Sequence, residues 1–176
     1  QIQRCVKESL VPVIETGTGN CHIYLHKGVD MQKALPIIVN AKTQRVGVCN
    51  AAESLLVDDA VANAVLPQVV KTLHEHGVFI HGDAMTCTAA AAAGLAEGAG
   101  YVPATEQDWG REYLALEMSV KVVADEDEAI AHINRYGTGH SEAIVTEDVQ
   151  AGERFLREVD ASSVYVNAST RFTDGG

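Results

Sequence analysis

The fold is decided by the stretch Asn40-Ala-Lys-Thr-Gln-Arg-Val-Gly-Val-Cys49-Asn-Ala-Ala-Glu53, in which a predicted helix gives way to a predicted strand. A short turn containing glycine separates the two elements and presents one cysteine. A thiol at such a junction is accessible to a substrate, and nearby backbone N–H groups lower its pKa and stabilise an oxyanion. A free cysteine is also common as a small buried apolar residue, so the residues alone leave both interpretations open.

The elements on either side of this turn follow from spacing and capping. Residues 30–44 are predicted to be helical with Asp30 as the N-cap, because apolar residues recur three and four positions apart. Residues 53–57 form an apolar run typical of a buried strand. Asp58 or Asp59 then caps a long amphipathic helix that continues to about His76 and ends at Gly77.

The rest of the chain repeats this alternation of strand and helix. Short apolar runs predict further strands at 11–14, 21–25, 78–80, 120–123, 141–145 and 163–167. Asp-capped helices are predicted from about 125 to 136 and from 148 to 159, and the Ala-rich segment 84–100 is expected to be a weakly held short helix with a loop. Such alternation predicts an α/β fold, a three-layer sandwich whose mostly parallel sheet is flanked by helices.

Composition limits the classes of function. The 176 residues suffice for one core, and residues 1–9 are interpreted as the tail of a preceding domain or linker, followed by one domain over 10–176. A formal charge of −11 argues against nucleic acid, and the lack of a long apolar run argues against a membrane span. Four widely spaced cysteines predict reduced thiols, no metal site and a cytoplasmic setting.

Four polar clusters are candidates for a binding site. They follow predicted strands or a helix end, at residues 15–20, 45–50, 137–142 and 167–174. Because open α/β sheets bind ligands beyond the carboxyl ends of their strands, we expect the site there. The last cluster contains Arg171, whose planar guanidinium suits a carboxylate or a phosphate, although a solvated loop explains the same residues.

Several of these strings also resemble a known family. The gamma-glutamyl phosphate reductases of the aldehyde dehydrogenase superfamily carry similar strings in the same order over nearly the whole chain. The matching strings here are Pro12–Tyr24, Asn40–Arg45, Val48–Glu53, His140–Asp148 and Val164–Gly176.

The resemblance implies a catalytic domain of the aldehyde dehydrogenase type and a reaction. That reaction is the NADPH-dependent reduction of L-glutamate 5-phosphate to L-glutamate 5-semialdehyde, with loss of phosphate, in proline biosynthesis. It also implies that NADPH binds mainly to a domain absent from this chain, so the chain alone would be inactive. A homo-oligomer, and association with glutamate 5-kinase, are further implications for the full-length protein.

Residue roles are carried over from the resemblance to matching positions. Cys49 would attack the acyl phosphate and form a thioester. Glu15 matches the glutamate that hydrolytic relatives use to activate water, and here it would handle protons or serve as a structural turn carboxylate. Asn40 matches an asparagine nine residues before the nucleophile, and a helix-end amide is the alternative.

A second group of residues is expected on the substrate side. Arg171 would hold the α-carboxylate of the substrate, with Asn167 and Ser169 beside it. His140 would orient this loop, unless it is a structural histidine. Arg45 would lower the pKa of the Cys49 thiol or contact phosphate, and a solvated arginine at a helix end explains it equally well.

Two alternatives to this function remain at the level of sequence. The chain could be a non-catalytic binding or assembly module in which Cys49 is only a buried thiol. It could also be part of a hydrolytic aldehyde dehydrogenase that uses Glu15 as a base. The closing string Asn-Ala-Ser-Thr-Arg-Phe-Thr-Asp-Gly-Gly favours the reductase over the hydrolytic enzyme.

Overall fold

A computed structural model describes Glu8, Val11 and residues 17–172 of the chain. Within these residues the core is a seven-stranded sheet in which every neighbouring pair of strands is parallel. The strands lie in the order β4-β3-β5-β2-β1-β6-β7. Their bounds are Cys21–Leu25 (β1), Ala52–Asp58 (β2), Phe79–Gly82 (β3), Tyr101–Pro103 (β4), Glu117–Val123 (β5), Ser141–Val145 (β6) and Ser163–Val166 (β7).

Helices cover both faces of this sheet and make it the middle of three layers. One face packs against α1, α2 and α3, and the other against α4 and α5. The helices are Met31–Thr43 (α1), Asp59–Glu75 (α2), Ala84–Ala92 (α3), Glu126–Tyr136 (α4) and Val149–Glu158 (α5), with 3₁₀ turns at Glu106–Gly110 and Thr170–Phe172. Every residue of β2 is buried, as expected for a central strand covered on both faces. The predicted three-layer fold is therefore confirmed.

Each of these five α-helices begins at an aspartate that follows a strand. The carboxylate of the N-cap accepts a hydrogen bond from a backbone N–H in the first turn, which satisfies donors that the helix itself leaves free. These caps are Asp30, Asp58, Asp83, Asp125 and Asp148. Because all strands are parallel, the caps lie at one edge of the sheet, which we call the carboxyl edge. The opposite edge is the amino edge.

Most of the predicted elements are confirmed within one or two residues. The strand predicted at 120–123 begins earlier, at Glu117, and the strand β4 was not predicted because it has three residues, of which Pro103 is one. The Ala-rich helix α3 is not weakly held, since Thr86 and Ala90 are buried against the core. The predicted strand at 11–14 and the proposed tail at 1–9 lie almost wholly outside the described residues.

The connection from β4 to β5 is unusual because it contains no α-helix. Residues 104–116 return the chain from the carboxyl edge to the amino edge across the face that α4 covers, where the Trp109 ring lies 6.0 Å from His132. The backbone N–H and hydroxyl of Thr105 both donate to Asp108, at 2.7 Å each. We call this segment the crossover, and it brings irregular backbone to the amino edge.

Candidate active site

Cys49 lies on the loop of residues 44–51, between the end of α1 and the start of β2. The loop closes with a turn in which the backbone N–H of Ala51 donates to the carbonyl of Val48 at 3.1 Å. Cys49 is a free cysteine and is partly exposed. The structure therefore presents a thiol that a substrate can reach, at the amino edge of the sheet.

The backbone of Cys49 is held by the segment that precedes β1. Gly19 packs so closely that a Cβ atom there would lie 1.7 Å from the Cys49 carbonyl oxygen, so only glycine fits. The thiol of Cys21 donates to the same carbonyl at 3.1 Å. Gly19 and Cys21 thus both hold the peptide group of the candidate nucleophile.

Cys21 and Cys49 differ in what their thiols can do. Burial and, as a smaller cause, the nearby Glu142 carboxylate together raise the pKa of the Cys21 thiol to about 12. Cys21 is fully buried and stays protonated, so it serves as a hydrogen-bond donor. Cys87 lies in α3, where its thiol donates to the carbonyl of Gly82 at 3.2 Å. Of the three cysteines described, Cys49 is the candidate nucleophile.

Arg171 lies beside the Cys49 loop although 122 positions separate the two residues in the chain. Its Nε donates to the side chain of Gln44 at 3.2 Å, and its carbonyl accepts from the Asn50 amide at 3.4 Å. The Thr170 hydroxyl donates to the Asn50 carbonyl at 2.8 Å. The Nη1 atom of Arg171 is buried and has no hydrogen-bond partner among the described residues, so a donor remains for a ligand.

The other predicted site residues are placed differently. Ser169 is buried, and its hydroxyl accepts from the Arg171 backbone N–H at 3.3 Å, so it supports that residue. Asn167 follows β7 and lies beside the carboxyl end of β6. Its side-chain oxygen accepts from the backbone N–H of Thr146 at 2.9 Å, and its side-chain nitrogen donates to the Thr146 carbonyl at 2.8 Å. Both ends of the amide are used there, so we expect a structural role for Asn167. His140 lies near Ser141, with 3.1 Å between Nδ1 and Oγ.

The remaining predictions stay untested. Asn40 and Arg45 are exposed, on the last turn of α1 and on the loop that carries Cys49. Glu15 lies outside the described residues. The roles assigned to these three residues remain predictions.

The expected location of the site at the carboxyl ends of the strands is wrong for three of the four clusters. Residues 17–20, 45–50 and 137–142 lead into β1, β2 and β6, so they meet at the amino edge. Only the last cluster follows a strand. The rule that open α/β sheets bind ligands at the carboxyl ends of their strands does not hold here. The glycine-containing turns precede strands, and helix caps occupy the carboxyl edge.

Sequence reasoning missed Asn20, which joins four parts of the amino edge. Its side-chain amide donates to the carbonyls of Trp109 and Tyr136 at 2.9 Å each, and its side-chain oxygen accepts from Ser54. Its backbone N–H donates to Thr138 at 3.0 Å. A polar residue between Gly19 and a buried strand was the only signal in the sequence, and it did not reveal these partners.

Glu112 on the crossover was missed as well. Its carboxylate accepts from the backbone N–H of Gly19 at 2.8 Å, and so the crossover reaches the segment packed on Cys49. These two residues are 93 positions apart, and nothing in their local sequence indicates the contact.

A cluster of buried polar side chains, formed by His22, Glu142 and His132, lies near this site on the face covered by α4. The backbone N–H of His22 donates to Glu142 at 2.5 Å, and burial raises the pKa of that carboxyl group while His22 opposes the shift. The ring of His132 lies 5.6 Å from that of His22, and burial lowers the pKa of His132 to about 3. His132 is therefore neutral at physiological pH.

Comparison with known proteins first identifies the class of protein. Residues 112–175 match the sequence model described as "Aldehyde dehydrogenase family". A solved acetylating aldehyde dehydrogenase from Geobacillus thermoglucosidasius, 22% identical, superposes with a TM-score of 0.71 over 97% of this chain and 45% of that chain, and so has the same fold. A parallel sheet flanked by helices, with an accessible thiol at its edge, is thus a domain of the aldehyde dehydrogenase type, and the chain belongs to the aldehyde dehydrogenase family.

Within that family, the chain is most informatively compared with gamma-glutamyl phosphate reductases. It is 53% identical to that of Clostridium beijerinckii over 99% of this chain and 40% of the relative. It is 55% identical to that of Bifidobacterium longum subsp. infantis over the same shares of the two chains. The crystal structure of the Thermotoga maritima reductase, 50% identical, superposes with a TM-score of 0.89 over 99% of this chain and 40% of that chain. The chain therefore spans two fifths of the length of these relatives.

The family implies a nicotinamide cofactor, but the described residues do not fit one. A dinucleotide pyrophosphate is normally held at a helix N-terminus whose backbone N–H groups are free. Here all five α-helix N-termini carry an aspartate carboxylate, which would repel the phosphates. In the part of the chain that the structure describes, no group of three or more His, Cys, Asp or Glu side chains could hold a metal ion. Nor is any helix there both long and apolar enough to cross a membrane.

Proposed function

We propose that this chain supplies the nucleophile and the substrate-side loop of a gamma-glutamyl phosphate reductase. The reaction would convert L-glutamate 5-phosphate to L-glutamate 5-semialdehyde and inorganic phosphate in proline biosynthesis. The observation that carries the proposal is the partly exposed Cys49 on a loop whose residues Gln44 and Asn50 contact Arg171, in a chain 53% identical to a relative of that name.

Cys49 would act in the first half of the reaction. Its thiolate attacks the acyl carbon, a C–S bond forms, and the C–O bond to phosphate breaks with both electrons leaving on phosphate. The backbone N–H of Cys49 would donate to the oxyanion that develops on the carbonyl oxygen. The close packing of Gly19 against the Cys49 carbonyl supports this role, because it holds the peptide group rigid.

The second half of the reaction needs a reductant from outside the described residues. NADPH would supply the hydride that converts the thioester to the aldehyde, bound mainly by residues beyond this chain. Such a reaction needs no hydrolytic water, so Glu15 would contribute to proton handling or to structure. Asn40, Arg45 and His140 would border the same site.

Arg171 would hold the α-carboxylate of the substrate. Its Nη1 atom is buried without a partner among the described residues, while Nε is held by Gln44. A guanidinium with one nitrogen held by a neighbour and another unpaired suits the two-pronged contact with a carboxylate. Ser169 would hold the backbone of Arg171, with Asn167 stabilising the start of the same segment.

The biological setting belongs to the same proposal. It includes NADPH as the preferred cofactor, a cytoplasmic location, a homo-oligomer and association with glutamate 5-kinase. The identity with gamma-glutamyl phosphate reductases supports these features, and the acidic charge of −11 suits a protein that does not bind nucleic acid.

The proposal is tested with Cys49→Ala in the full-length polypeptide, assayed as phosphate-dependent oxidation of glutamate 5-semialdehyde with NADP⁺. We expect turnover to fall by about 10³-fold or more, because the nucleophile is lost. Cys87→Ala, which removes another partly buried thiol at the carboxyl edge, should retain activity. Turnover of Cys49→Ala comparable to that of Cys87→Ala would overturn the proposal.

The role of Arg171 is tested with Arg171→Lys, which keeps the charge and removes the planar fork. We expect kcat/KM for glutamate 5-semialdehyde to fall by about 10- to 100-fold, mostly through KM. An aldehyde substrate without the α-carboxylate should be used equally well by both proteins. An equal loss for both substrates would argue against carboxylate binding.

A further inference from the structure

The loop that carries Cys49 begins and ends at a buried ion pair. Lys42 lies in the last turn of α1, just before the loop, and Glu53 is the second residue of β2, just after it. The distance between Lys42 Nζ and Glu53 Oε2 is 2.5 Å, and neither side chain is exposed to solvent. The two charges therefore join the ends of the loop directly.

A gain in folding stability alone does not explain this ion pair. Burial lowers the pKa of Lys42 and raises that of Glu53, so in both groups desolvation outweighs the attraction of the partner. Buried ion pairs are often replaced by apolar side chains of similar volume without loss of stability, whereas removal of one partner is strongly destabilising. What apolar side chains cannot supply is a short directional contact between two defined atoms.

The pair also connects to the contacts that hold Cys49 from the other side. The second oxygen of Glu53 accepts from the backbone N–H of Leu114 on the crossover, at 3.3 Å. Leu114 has a φ of 55°, in the left-handed region, so the crossover adopts a defined turn there. Two residues earlier, Glu112 holds the backbone N–H of Gly19, which packs on the Cys49 carbonyl.

We propose that Lys42 and Glu53 are positioning residues, whose contact sets the geometry of the Cys49 loop and thereby the reactivity of the thiol. Lys42 sets the point where the chain leaves α1, and Glu53 sets both its entry into β2 and the path of the crossover. Neither side chain touches the substrate, because both are fully buried. The expected effect on turnover rests on the proposed role of Cys49, whereas the effect on alkylation of Cys49 does not.

The test separates stability from positioning in the full-length polypeptide. Lys42→Met leaves the buried Glu53 carboxylate without its counter-charge, and Glu53→Gln does the same to the Lys42 ammonium, so both should lower the unfolding midpoint. The double variant Lys42→Met/Glu53→Leu replaces the pair with apolar side chains and loses only the hydrogen bond from Leu114, so its midpoint should lie above those of both single variants. Its Cys49 alkylation rate and kcat should nonetheless stay at least about tenfold lower, with KM within about twofold.

Tyr24→Phe is the matched control at the other end of β2. It removes a buried hydrogen bond of 2.7 Å from the Tyr24 hydroxyl to Asp58, at the carboxyl edge of the same two central strands. We expect a lower unfolding midpoint with unchanged alkylation of Cys49 and unchanged kcat. Loss of reactivity in this control equal to that of the double variant would show that any core defect slows the thiol, and would overturn the proposal.

Glu53→Asp keeps the test decisive if the double variant does not fold. It retains the charge and shortens the side chain by one methylene, which lengthens the contact with Lys42 or displaces the loop. We expect Cys49 alkylation to slow by about tenfold in a protein that remains folded. A wild-type alkylation rate in Glu53→Asp, or in a stable double variant, would show that the Lys42–Glu53 pair does not affect the reactivity of Cys49, and would overturn the proposal. These alkylation results stand even if Cys49→Ala proves active and the proposed function fails.

Discussion

At both edges of the sheet, side chains bond polar backbone groups, but the two edges differ in how far apart in sequence the bonded residues are. At the carboxyl edge, each cap aspartate bonds a backbone N–H two or three residues further along the chain. At the amino edge, the polar contacts around Cys49 join residues between 28 and 121 positions apart. The helix caps at the carboxyl edge are therefore local contacts, whereas the contacts that hold Cys49 at the amino edge are tertiary.

This difference explains which edge can carry chemistry. The caps place carboxylates at the N-termini of the five helices described, so the carboxyl edge would repel an anionic substrate. At the amino edge, tertiary contacts hold Cys49 and Arg171 while leaving a thiol and one guanidinium nitrogen without partners among the described residues. Stability at the carboxyl edge is thus separable from reactivity at the amino edge.

The largest expected effect is the pH dependence due to His132, which lies in α4 near the amino edge. Burial lowers its pKa to about 3, while the unfolded chain takes up a proton near pH 6.5. Its contribution to the free energy of unfolding is therefore complete above pH 6.5 and is lost as the pH falls towards 3. The loss is about 1.4 kcal/mol per pH unit, or about 5 kcal/mol in all.

Denaturant titrations between pH 8 and pH 4 measure this dependence. His132→Phe should show a smaller loss of stability on acidification than the unmodified protein, because the phenyl ring takes up no proton in either state. NMR titration of the His132 ring provides the direct check. A ring that titrates near pH 6.5 in the folded protein would contradict the prediction.

The next largest effect is expected from Asn20→Ala, which removes the side chain that joins the amino edge. The carbonyls of Trp109 and Tyr136 would lose their buried donor, and the Ser54 hydroxyl would lose an acceptor. We expect a loss of about 3 kcal/mol or more in the free energy of unfolding, together with slower alkylation of Cys49.

Asn134→Ala is the matched control, because its amide also joins two elements but is exposed. It bonds the Glu158 carbonyl and the Asp160 N–H at 3.0 and 2.9 Å. A loss of at most about 1 kcal/mol, with unchanged Cys49 reactivity, is expected there. Equal effects of the two substitutions would remove the distinction between the buried and the exposed contacts.

The smallest effect is expected at the carboxyl edge, from Asp148→Ala. This change removes the cap of α5, which accepts from Gln150 and Ala151 at 2.9 and 3.2 Å. The free energy of unfolding should fall by about 1 kcal/mol while Cys49 is alkylated at its original rate. Glu153→Ala, an exposed change on the same helix, should leave both quantities unchanged. Slower alkylation in Asp148→Ala would show that the two edges are coupled.

The elements of the fold were predictable because their signals are local. The apolar spacing of α1 and its cap Asp30 lie within one stretch of sequence, and so do the cap Asp58 and the end of α2 at Gly77, which has a φ of 74°. The strand β4 was missed because three residues, one of them a proline, carry too little pattern. Its existence depends on pairing with β3.

The site was predictable only in part. Cys49 could be singled out because its glycine-containing turn and the strand after it are contiguous in sequence. The contacts of Asn20 and Glu112 could not, because they depend on which strands become neighbours, and the Lys42–Glu53 pair depends on how α1 packs against β2. The same reason explains why the site was expected at the wrong edge: three of its clusters precede strands, and sequence does not show which edge is free.

The sequence by itself determined the alternation of strands and capped helices, the parallel three-layer fold and the thiol at a loop between α1 and β2. These follow from apolar spacing and side-chain capping, which act over a few residues. Only the tertiary structure decided that Gly19, Glu53 and Arg171 surround that loop, because their contacts form when distant strands align in one sheet. Tertiary packing thus determines the contacts around Cys49, whereas local sequence patterns determine the strands and helices that carry them.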